Sequence, residues 1–249
     1  MKRVAVALGI FVALLGAPLH AQDPPASIEG KGNTQRNALD EEAVAQLVMA
    51  RKLIDAGKAS DALGLIDRAI ALFKQAHPAN GKRLYAARDS RESLAYLVMA
   101  AAQTDVGRGQ DAVVRLTHWP VAYQMKGYAL VELGRHDEAI AALREGIALR
   151  PYDSGALSEL GSIYQSRKDW TQALELYREA DAASAFSEDE VKMLHATRAK
   201  RGIAFVMIEQ DQLENAESVL VEALQLDPGD TKSRNELEYI RGLREKRKD

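Results

Sequence analysis

Residues 123–151 read YQMKGYALVELGRHDEAIAALREGIALRP, and this stretch decides the fold of the chain. Its apolar residues recur at helical spacing on both sides of Gly134, which predicts two helices joined by a tight turn. A related pattern returns 34 residues later, in LSELGSIYQSRKDWTQALELYREA at 157–180. Another copy, KRGIAFVMIEQDQLENAESVLVEALQLDP, occupies 200–228. This internal repetition indicates a stack of similar helix pairs.

The step to the last copy is longer than one period. Ala139 aligns with Ala173, but Ala216 follows Ala173 by 43 residues, one period plus nine. The extra residues EDEVKMLHA favour a helix, so we expect them to lengthen the next helix at its start. Ser187 is the predicted N-cap of that helix, because its hydroxyl could accept a hydrogen bond from a free helical N–H.

The repeated positions resemble the tetratricopeptide-repeat family, with its aromatic, Leu-Gly, Tyr, Ala and Pro pattern. The pattern is nearly complete at 120–153 and 154–187 and recognisable at 197–230. A weaker copy lies at 43–76, and a shortened one at about 93–119 is anchored on Ala112. The resemblance implies an all-α fold, a right-handed α-solenoid of stacked antiparallel helix pairs. The structural repeat positions it implies are Gly127, Ala139, Pro151, Gly161, Tyr164, Ala173, Ala216 and Pro228.

The N-terminal segment has the pattern of an export signal. Lys2 and Arg3 precede an apolar run, and the small residue Ala21 lies at a suitable cleavage point. We therefore predict a signal peptide at 1–21, although an uncleaved anchor is the alternative. The exported protein would be periplasmic if the source is Gram-negative, and otherwise secreted. It would keep no stable membrane span after cleavage.

The remainder is predicted to be a linker followed by one helical domain. Residues 22–39 are polar and rich in Pro and Gly, which predicts a disordered linker. Asp40 is the first convincing helix N-cap. The predicted helical domain covers 40–249 and ends in a polar capping helix at 231–247. Because no segment shows sustained apolar–polar alternation, a sheet is not expected.

Composition excludes several classes of function. The formal net charge of −3 and the pI near 6.0 argue against a nucleic-acid partner, which would need a basic face. The chain has no cysteine, which excludes disulfides, thiolate chemistry and Cys-ligated zinc.

Two short motifs resemble chemical sites but favour structural interpretations. The consecutive residues His136, Asp137 and Glu138 begin a predicted helix, where acids favour the positive end of the dipole and the side chains diverge. GRGQDA at 107–112 matches a dinucleotide fingerprint by letters, yet a predicted helix, not a strand, precedes it. We therefore predict no catalytic residue, metal site or cofactor.

The family resemblance places partner binding on the first helix of each pair, which lines a concave groove. Arg198 and Arg201, one turn apart, could hold a carboxylate or an acidic peptide. Alternatively they are ordinary solvated arginines balanced by Glu188 and Glu190. The predicted partner-binding residues are Gln124, Tyr128, Glu132, Ser158, Ser162, Gln165, Arg198, Arg201 and Phe205.

The sequence thus predicts a non-catalytic scaffold that binds a protein or peptide, in envelope assembly or secretion. One alternative is an enzyme, or an accessory subunit, that acts on an envelope or glycan substrate. Its site would lie in the irregular region 77–120, around Tyr85, Arg88, His118 and Trp119. The other alternative is a self-association module, which would make the protein a homo-oligomer.

Overall fold

The computed structural model describes residues 31–104 and 112–246, with side chains at 34–102 and 112–246. The predicted signal peptide at 1–21, residues 22–30 of the predicted linker and 107–111 of the GRGQDA motif lie outside the described residues. The chain forms two compact units, which divide between Pro78 and Ala79.

The first unit is a helix pair. Its helices are α1 (Lys31–Asp55) and α2 (Ala59–Ala76), and Leu47 and Phe73 lie fully buried between them. Between the helices Gly57 has a φ of +72°, the left-handed conformation that glycine commonly adopts just after a helix ends.

The start of this unit differs from the sequence prediction. Residues 31–39 are helical rather than disordered, and Asp40 lies inside α1 instead of capping it. The Asp40 carboxylate lies 2.8 Å from Nε2 of His77, which follows α2. This contact joins the interior of α1 to the end of α2, so Asp40 stabilises the helix pair rather than a helix terminus.

The second unit contains three successive helix pairs and one final helix. Each pair consists of two helices joined by a short turn, as the repeat pattern predicted. The pairs are α4 (Trp119–Glu132) with α5 (His136–Leu149), α6 (Ser154–Ser166) with α7 (Trp170–Ala183), and α8 (Asp189–Glu209) with α9 (Leu213–Leu226), followed by α10 (Thr231–Glu245).

Small residues allow the helices within and between pairs to approach closely. A side chain at Gly127 would place its Cβ 2.7 Å from Leu143 Cγ, so only glycine fits between α4 and α5. Tyr177 of α7 lies against Gly161 of α6 and Gly202 of α8, where a Cβ would lie 3.1 Å and 2.5 Å from its ring. Close helix approach therefore depends on these glycines.

The other repeat positions take structural places in the same pairs. Ala139, Ala173 and Ala216 are completely buried at the start of their second helices. Tyr164 is half-buried, and its hydroxyl accepts a hydrogen bond from Arg144 at 2.7 Å. Pro151 and Pro228 lie in the turns after α5 and α9.

The region before α4 is not the shortened helix pair predicted at 93–119. It is a β–α–β unit of strand β1 (Arg83–Ala87), helix α3 (Ser90–Thr104) and strand β2 (Ala112–Leu116). The strands are parallel, in the register Arg83 to Ala112 and Ala87 to Leu116. Ala112 therefore lies in a strand instead of anchoring a second helix, and the expectation that no sheet would form is wrong.

The last repeat departs from the prediction only in its caps. Helix α8 is 21 residues long, in line with the predicted extension at its start. Glu188, not Ser187, holds the N-cap position, and Ser187 instead hydrogen-bonds His195. Helix α10 ends at Glu245, two residues before the predicted end of the capping helix.

The predicted all-α class is confirmed, since 79% of the described residues are helical and they form ten α-helices. Over the described residues, no helix combines the length and apolar character needed to cross a membrane. The small sheet is an addition to a helical solenoid rather than a change of class.

Candidate partner-binding face

The first-helix face is the surface formed by α4, α6 and α8, the first helices of the three pairs. All nine predicted partner-binding residues lie on these helices. Their surroundings differ strongly, because some are exposed and others are engaged by the fold itself.

A hydrogen bond between side chains links α4 to α6. The Gln124 amide donates from Nε2 to Oε1 of Glu159 at 2.8 Å. Glu159 is 3% exposed, and its Oε2 has no hydrogen-bond partner among the described residues. Burial raises the pKa of the Glu159 carboxyl to about 8, although Arg198 and Gln124 act in the opposite direction. The carboxyl is thus held in a desolvated place that disfavours its charge.

A second unsatisfied group neighbours Glu159 on α6. Ser158 is 1% exposed, and its hydroxyl has no hydrogen-bond partner in the described part of the chain. Leaving a buried polar group unpaired costs about 1–3 kcal/mol. Other hydroxyls of α6 are satisfied within the helix or by its neighbour, such as Ser162, which donates to the Glu159 carbonyl at 2.8 Å.

Arg198 of α8 supplies positive charge to this polar region. Burial lowers the pKa of its guanidinium, and the nearby Glu159 carboxylate opposes that shift. Gln165, another predicted groove residue, accepts a hydrogen bond from the Tyr177 hydroxyl at 2.7 Å. Arg198 and Gln165 are therefore half-buried groups that interact with neighbouring side chains of the fold.

Arg201 has a structural role that the sequence did not indicate. Its NH1 atom lies 2.5 Å from the Asp230 carboxylate, which also caps the start of α10. Burial by itself would raise the pKa of the Asp230 carboxyl. Hydrogen bonds from Ser233 and Arg201 outweigh burial and hold that pKa below its usual value. Asp230, and not Glu188 or Glu190, balances the charge of Arg201. The Arg201 guanidinium is therefore already engaged by a carboxylate of the same chain.

The accessible part of the face lies toward the ends of the first helices. Tyr128 is half-buried on α4, and Glu132 is exposed at the last residue of the same helix. Phe205 of α8 is half-buried and lies 6.4 Å from Trp170, measured between ring centroids. These three residues offer a partner both aromatic and acidic contacts.

The β–α–β unit contacts the opposite end of the first-helix face. Arg88 donates from NH2 to the Phe186 carbonyl at 2.9 Å and lies 4.0 Å from the Glu188 carboxylate. In the same region the Ser187 hydroxyl lies 2.7 Å from Nδ1 of His195. Burial lowers the pKa of His195 to about 4, so the imidazole is neutral at neutral pH.

A buried ion network and an aromatic column hold the β–α–β unit in place. Arg150, after α5, donates to the Ala86 carbonyl at 3.3 Å and lies 3.8 Å from Glu92. Glu92 is 1% exposed and accepts a hydrogen bond from the Tyr96 hydroxyl at 2.8 Å. The rings of Tyr85, Tyr96, Tyr152 and Phe186 stack in sequence, with centroid distances of 5.4, 5.5 and 4.3 Å.

The residues of the alternative enzyme site each have a structural place in the fold. Tyr85 and Arg88 belong to the column and the network just described. His118 holds the N-cap position of α4, and Trp119 is buried beside Tyr123, with ring centroids 6.5 Å apart. These placements serve packing and helix initiation.

The His136–Glu138 run begins α5, as its structural interpretation predicted. Asp137 lies 2.7 Å from Arg167, and Glu138 lies 2.6 Å from Arg135. Each carboxylate therefore has its own arginine. Over the described residues, no group of three or more His, Asp or Glu side chains could hold a metal ion.

The sequence did not reveal two buried titratable residues, Glu159 and His195, or the close packing of Gly202 against Tyr177. A signal existed for Glu159, because Gly155, one turn earlier, and Ser158 are small residues on the same helix. A Cβ at Gly155 would lie 3.2 Å from the Gln124 amide nitrogen and 3.7 Å from His195 Nε2. Small residues at helical spacing indicate that neighbouring helices approach closely enough to bury an acid.

Comparison with known proteins agrees with this architecture. Residues 130–198 match the family model described as Tetratricopeptide repeat. No curated protein sequence matches the chain.

Two solved structures have a similar fold at low sequence identity. Pilf of Pseudomonas aeruginosa aligns with a TM-score of 0.57 and 12% identity, over 85% of this chain and 72% of that one. MamA of Desulfovibrio magneticus RS-1 aligns with a TM-score of 0.52 and 16% identity, over 83% and 88% of the two chains. The family match and these similarities together support a tetratricopeptide-repeat fold for this chain.

Proposed function

We propose that this protein is a non-catalytic scaffold that binds a segment of a partner protein on its first-helix face. The tetratricopeptide-repeat match of residues 130–198 supports an interaction scaffold. The proposal includes export, to the periplasm in a Gram-negative source, and a role in envelope assembly or secretion. The sequence pattern at 1–21 is what supports export.

One observation carries the proposal. The first helices of two of the stacked pairs keep two rings at the surface, since Tyr128 of α4 and Phe205 of α8 are half-buried, and Glu132 of α4 is exposed. Ser158 and Glu159 are only 1% and 3% exposed, so they belong to the interior of this face and not to its contact surface. A partner segment would therefore contact the two rings and the Glu132 carboxylate.

The accessible edge of the site supplies affinity. Tyr128 and Phe205 present large rings at low conformational cost, and such residues dominate the binding energy of protein interfaces. Arg201 is a poor site for a test, because its substitution would release Asp230 from the start of α10. Tyr128 is the better choice, since it lies within the predicted set and is half-buried on α4.

Crosslinked capture from an envelope fraction tests the proposal. Tyr128→Ala should reduce recovery of the partner captured by the wild-type protein, whereas Tyr128→Phe should retain most of it. Glu175→Ala, an exposed change on the second helix α7, is the matched control and should capture normally. Circular dichroism must show equal helix content in all variants. Equal capture by Tyr128→Ala and wild type would contradict binding on this face.

Self-association is a second candidate function, favoured by the outer face of α3. Leu94, Leu97 and Val98 share this face and are 62%, 50% and 61% exposed. Apolar patches of this kind mark contact sites on soluble proteins. Light scattering over a concentration series should show a rising mass that Leu97→Ser reduces. A constant monomer mass would exclude this candidate.

A further inference from the structure

Residues 184–195 connect the last helix pair to the rest of the second unit, and we call them the strap. The strap consists of a short 3₁₀ helix (Ser184–Phe186) and the chain that leads into α8, up to His195. Most of the residues that lengthen α8 beyond the repeat belong to it. The connection from α5 to α6 is shorter, since only residues 150–153 separate those helices. The strap is therefore an addition that the repeat pattern does not explain.

One side of the strap is attached to residues around the start of α3 and to Tyr152. Arg88 donates from NH2 to the Phe186 carbonyl at 2.9 Å, and Arg91 donates from NH2 to the Ser187 carbonyl at 3.4 Å. The rings of Phe186 and Tyr152 stack with their centroids 4.3 Å apart. The strap is thus held to the β–α–β unit by two arginines and by one stacked ring.

The strap ends at His195, which lies against the start of α6. A Cβ at Gly155 would lie 3.7 Å from His195 Nε2 and 3.2 Å from the amide nitrogen of Gln124. The other ring nitrogen, Nδ1, lies 2.7 Å from the Ser187 hydroxyl, and His195 is only 8% exposed. His195 therefore joins the strap to α6 and to Gln124 of α4.

The surroundings of His195 disfavour a charge on its ring. Burial is the main cause that lowers the pKa of the imidazole to about 4. The Asp153 carboxylate opposes this shift, whereas Arg198 and Arg88 act in the same direction as burial. Asp153 also lies 3.5 Å from Arg150, which shares its charge. A protonated His195 would therefore be a buried cation beside other cations.

We propose that the strap is acid-sensitive, and that protonation of His195 releases it from the start of α6 and from the β–α–β unit. In a neutral imidazole one ring nitrogen accepts a hydrogen bond, whereas both nitrogens donate in the imidazolium. Release of the strap exposes His195 to water, so the open state takes up a proton more readily than the closed state. Lower pH therefore favours the open strap. This inference concerns the chain alone and does not rest on partner binding.

Hydrogen exchange of the full-length protein measures the opening. The reporters are the amides of Ser187 and Lys192, which donate within the strap to the carbonyls of Ser184 and Glu188. The pKa of His195 is about 4 in the closed state and 6.5 for an exposed ring, so the opening constant should rise about twentyfold from pH 7 to pH 5. The Ala216 amide of α9 should show no such rise, which distinguishes strap opening from global unfolding.

Substitution of His195 tests which group controls the opening. His195→Asn keeps a polar group that can bond Ser187 but does not titrate, so its opening constant should change by less than about threefold between pH 7 and pH 5. Glu159→Gln removes the buried carboxyl of α6 and should keep the rise seen in the wild type. Glu190→Gln, an exposed change on the strap, is the matched control and should also keep that rise.

Substitution of Phe186 tests the attachment of the strap. Phe186→Leu removes the stacking on Tyr152 and should raise the opening constant about two- to tenfold at both pH values. The dependence on pH should remain, because His195 is unchanged.

Three results would overturn the proposal. The first is an equal opening constant of the wild-type strap at pH 7 and pH 5. The second is a rise that persists in His195→Asn, which would assign the pH dependence to another group. The third is loss of the rise in Glu159→Gln, which would assign it to the α6 carboxyl. His195→Gln, which is also neutral, repeats the measurement if His195→Asn does not fold.

Discussion

At the scale of single residues, the turn inside each helix pair needs a left-handed backbone. Gly57 and Gly134 adopt φ values of +72° and +70° there. The equivalent positions in the later pairs hold Lys168 and Asp211, with φ values of 61° and 64°. A residue with a Cβ is strained in this region, whereas glycine is not.

Replacing Lys168 with glycine should therefore stabilise the protein. Relief of strain exceeds the added entropy of the unfolded chain, and we expect a gain of about 0.5–1 kcal/mol in the free energy of unfolding. Gly134→Ala should lower it by about 1 kcal/mol. Urea denaturation of both variants measures these changes, and a loss of stability in Lys168→Gly would refute the explanation.

Two serines of α6 provide a direct comparison of satisfied and unsatisfied hydroxyls. Ser154 donates to the Ala180 carbonyl at 2.7 Å, whereas buried Ser158 has no partner in the described residues. Ser154→Ala should lower the free energy of unfolding by about 1 kcal/mol, and Ser158→Ala should raise it by a similar amount. Thermal and urea unfolding of the two variants checks the opposite signs. Equal losses would show that the Ser158 hydroxyl is needed for folding.

The buried Glu159 should make stability depend on pH. The pKa of Glu159 is about 8 in the folded protein and near 4.5 in the unfolded chain. Between pH 4.5 and 8 the carboxyl is therefore protonated in the folded state and ionised in the unfolded state. Its contribution to stability therefore falls as pH rises from 4.5 to 8. His195 has the opposite pH dependence, because burial lowers its pKa from 6.5 to about 4 in the folded protein. Its contribution to stability is lost as pH falls from 6.5 to 4.

Glu159→Gln isolates the carboxyl contribution. The His195 contribution is the same in both proteins and cancels in their difference, so the variant should gain roughly 1–2 kcal/mol relative to the wild type between pH 6.5 and 8. Urea denaturation at pH 6.5 and 8 measures the gain. An unchanged difference between the two proteins would mean that Glu159 is not held in a desolvated site.

At the scale of elements, the β–α–β unit depends on Arg150. This side chain joins α5 to the Ala86 and Thr117 carbonyls and accompanies the buried Glu92. Arg150→Ala would leave the Glu92 charge with less compensation in the interior. We expect a loss of about 3 kcal/mol and faster proteolysis within 79–118. Arg178→Ala, at an exposed position of α7, is the control, and an equal effect of both changes would contradict the anchoring role.

The sequence predicted the helix pairs but not this unit, for physical reasons. A helix pair imposes glycine and alanine at fixed places, such as Gly127, Ala139 and Ala173, and the 34-residue repetition makes them visible. Strands β1 and β2 are only five residues each, and neither has one buried and one exposed face, because β1 is buried from Leu84 to Ala87 and β2 is partly exposed throughout. They therefore lack the apolar–polar alternation that reveals a strand, and the alanine anchor at Ala112 was misinterpreted.

The candidate site was predictable in part. The helices that form it and the place of Tyr128 followed from the repeat register. The burial of Glu159 did not, since an acid on a helix is ordinarily solvated, and only the close approach of α4, α6 and α8 removes water from it. The same limit applies to Arg201, whose partner Asp230 lies 29 residues away in the sequence.

At the scale of the whole molecule, the second compact unit combines the first-helix face with the β–α–β unit. The face carries polar groups from α4, α6 and α8, and Arg150 links the end of α5 to strand β1. Export of the protein, based on the pattern at 1–21, stays a prediction.

The most direct test of the central claim is the amount of partner that Tyr128→Ala captures from an envelope extract, relative to Tyr128→Phe. The account predicts clearly lower capture by Tyr128→Ala at equal helix content, because the half-buried ring of Tyr128 lies on the first-helix face. Equal capture by the two variants would contradict it.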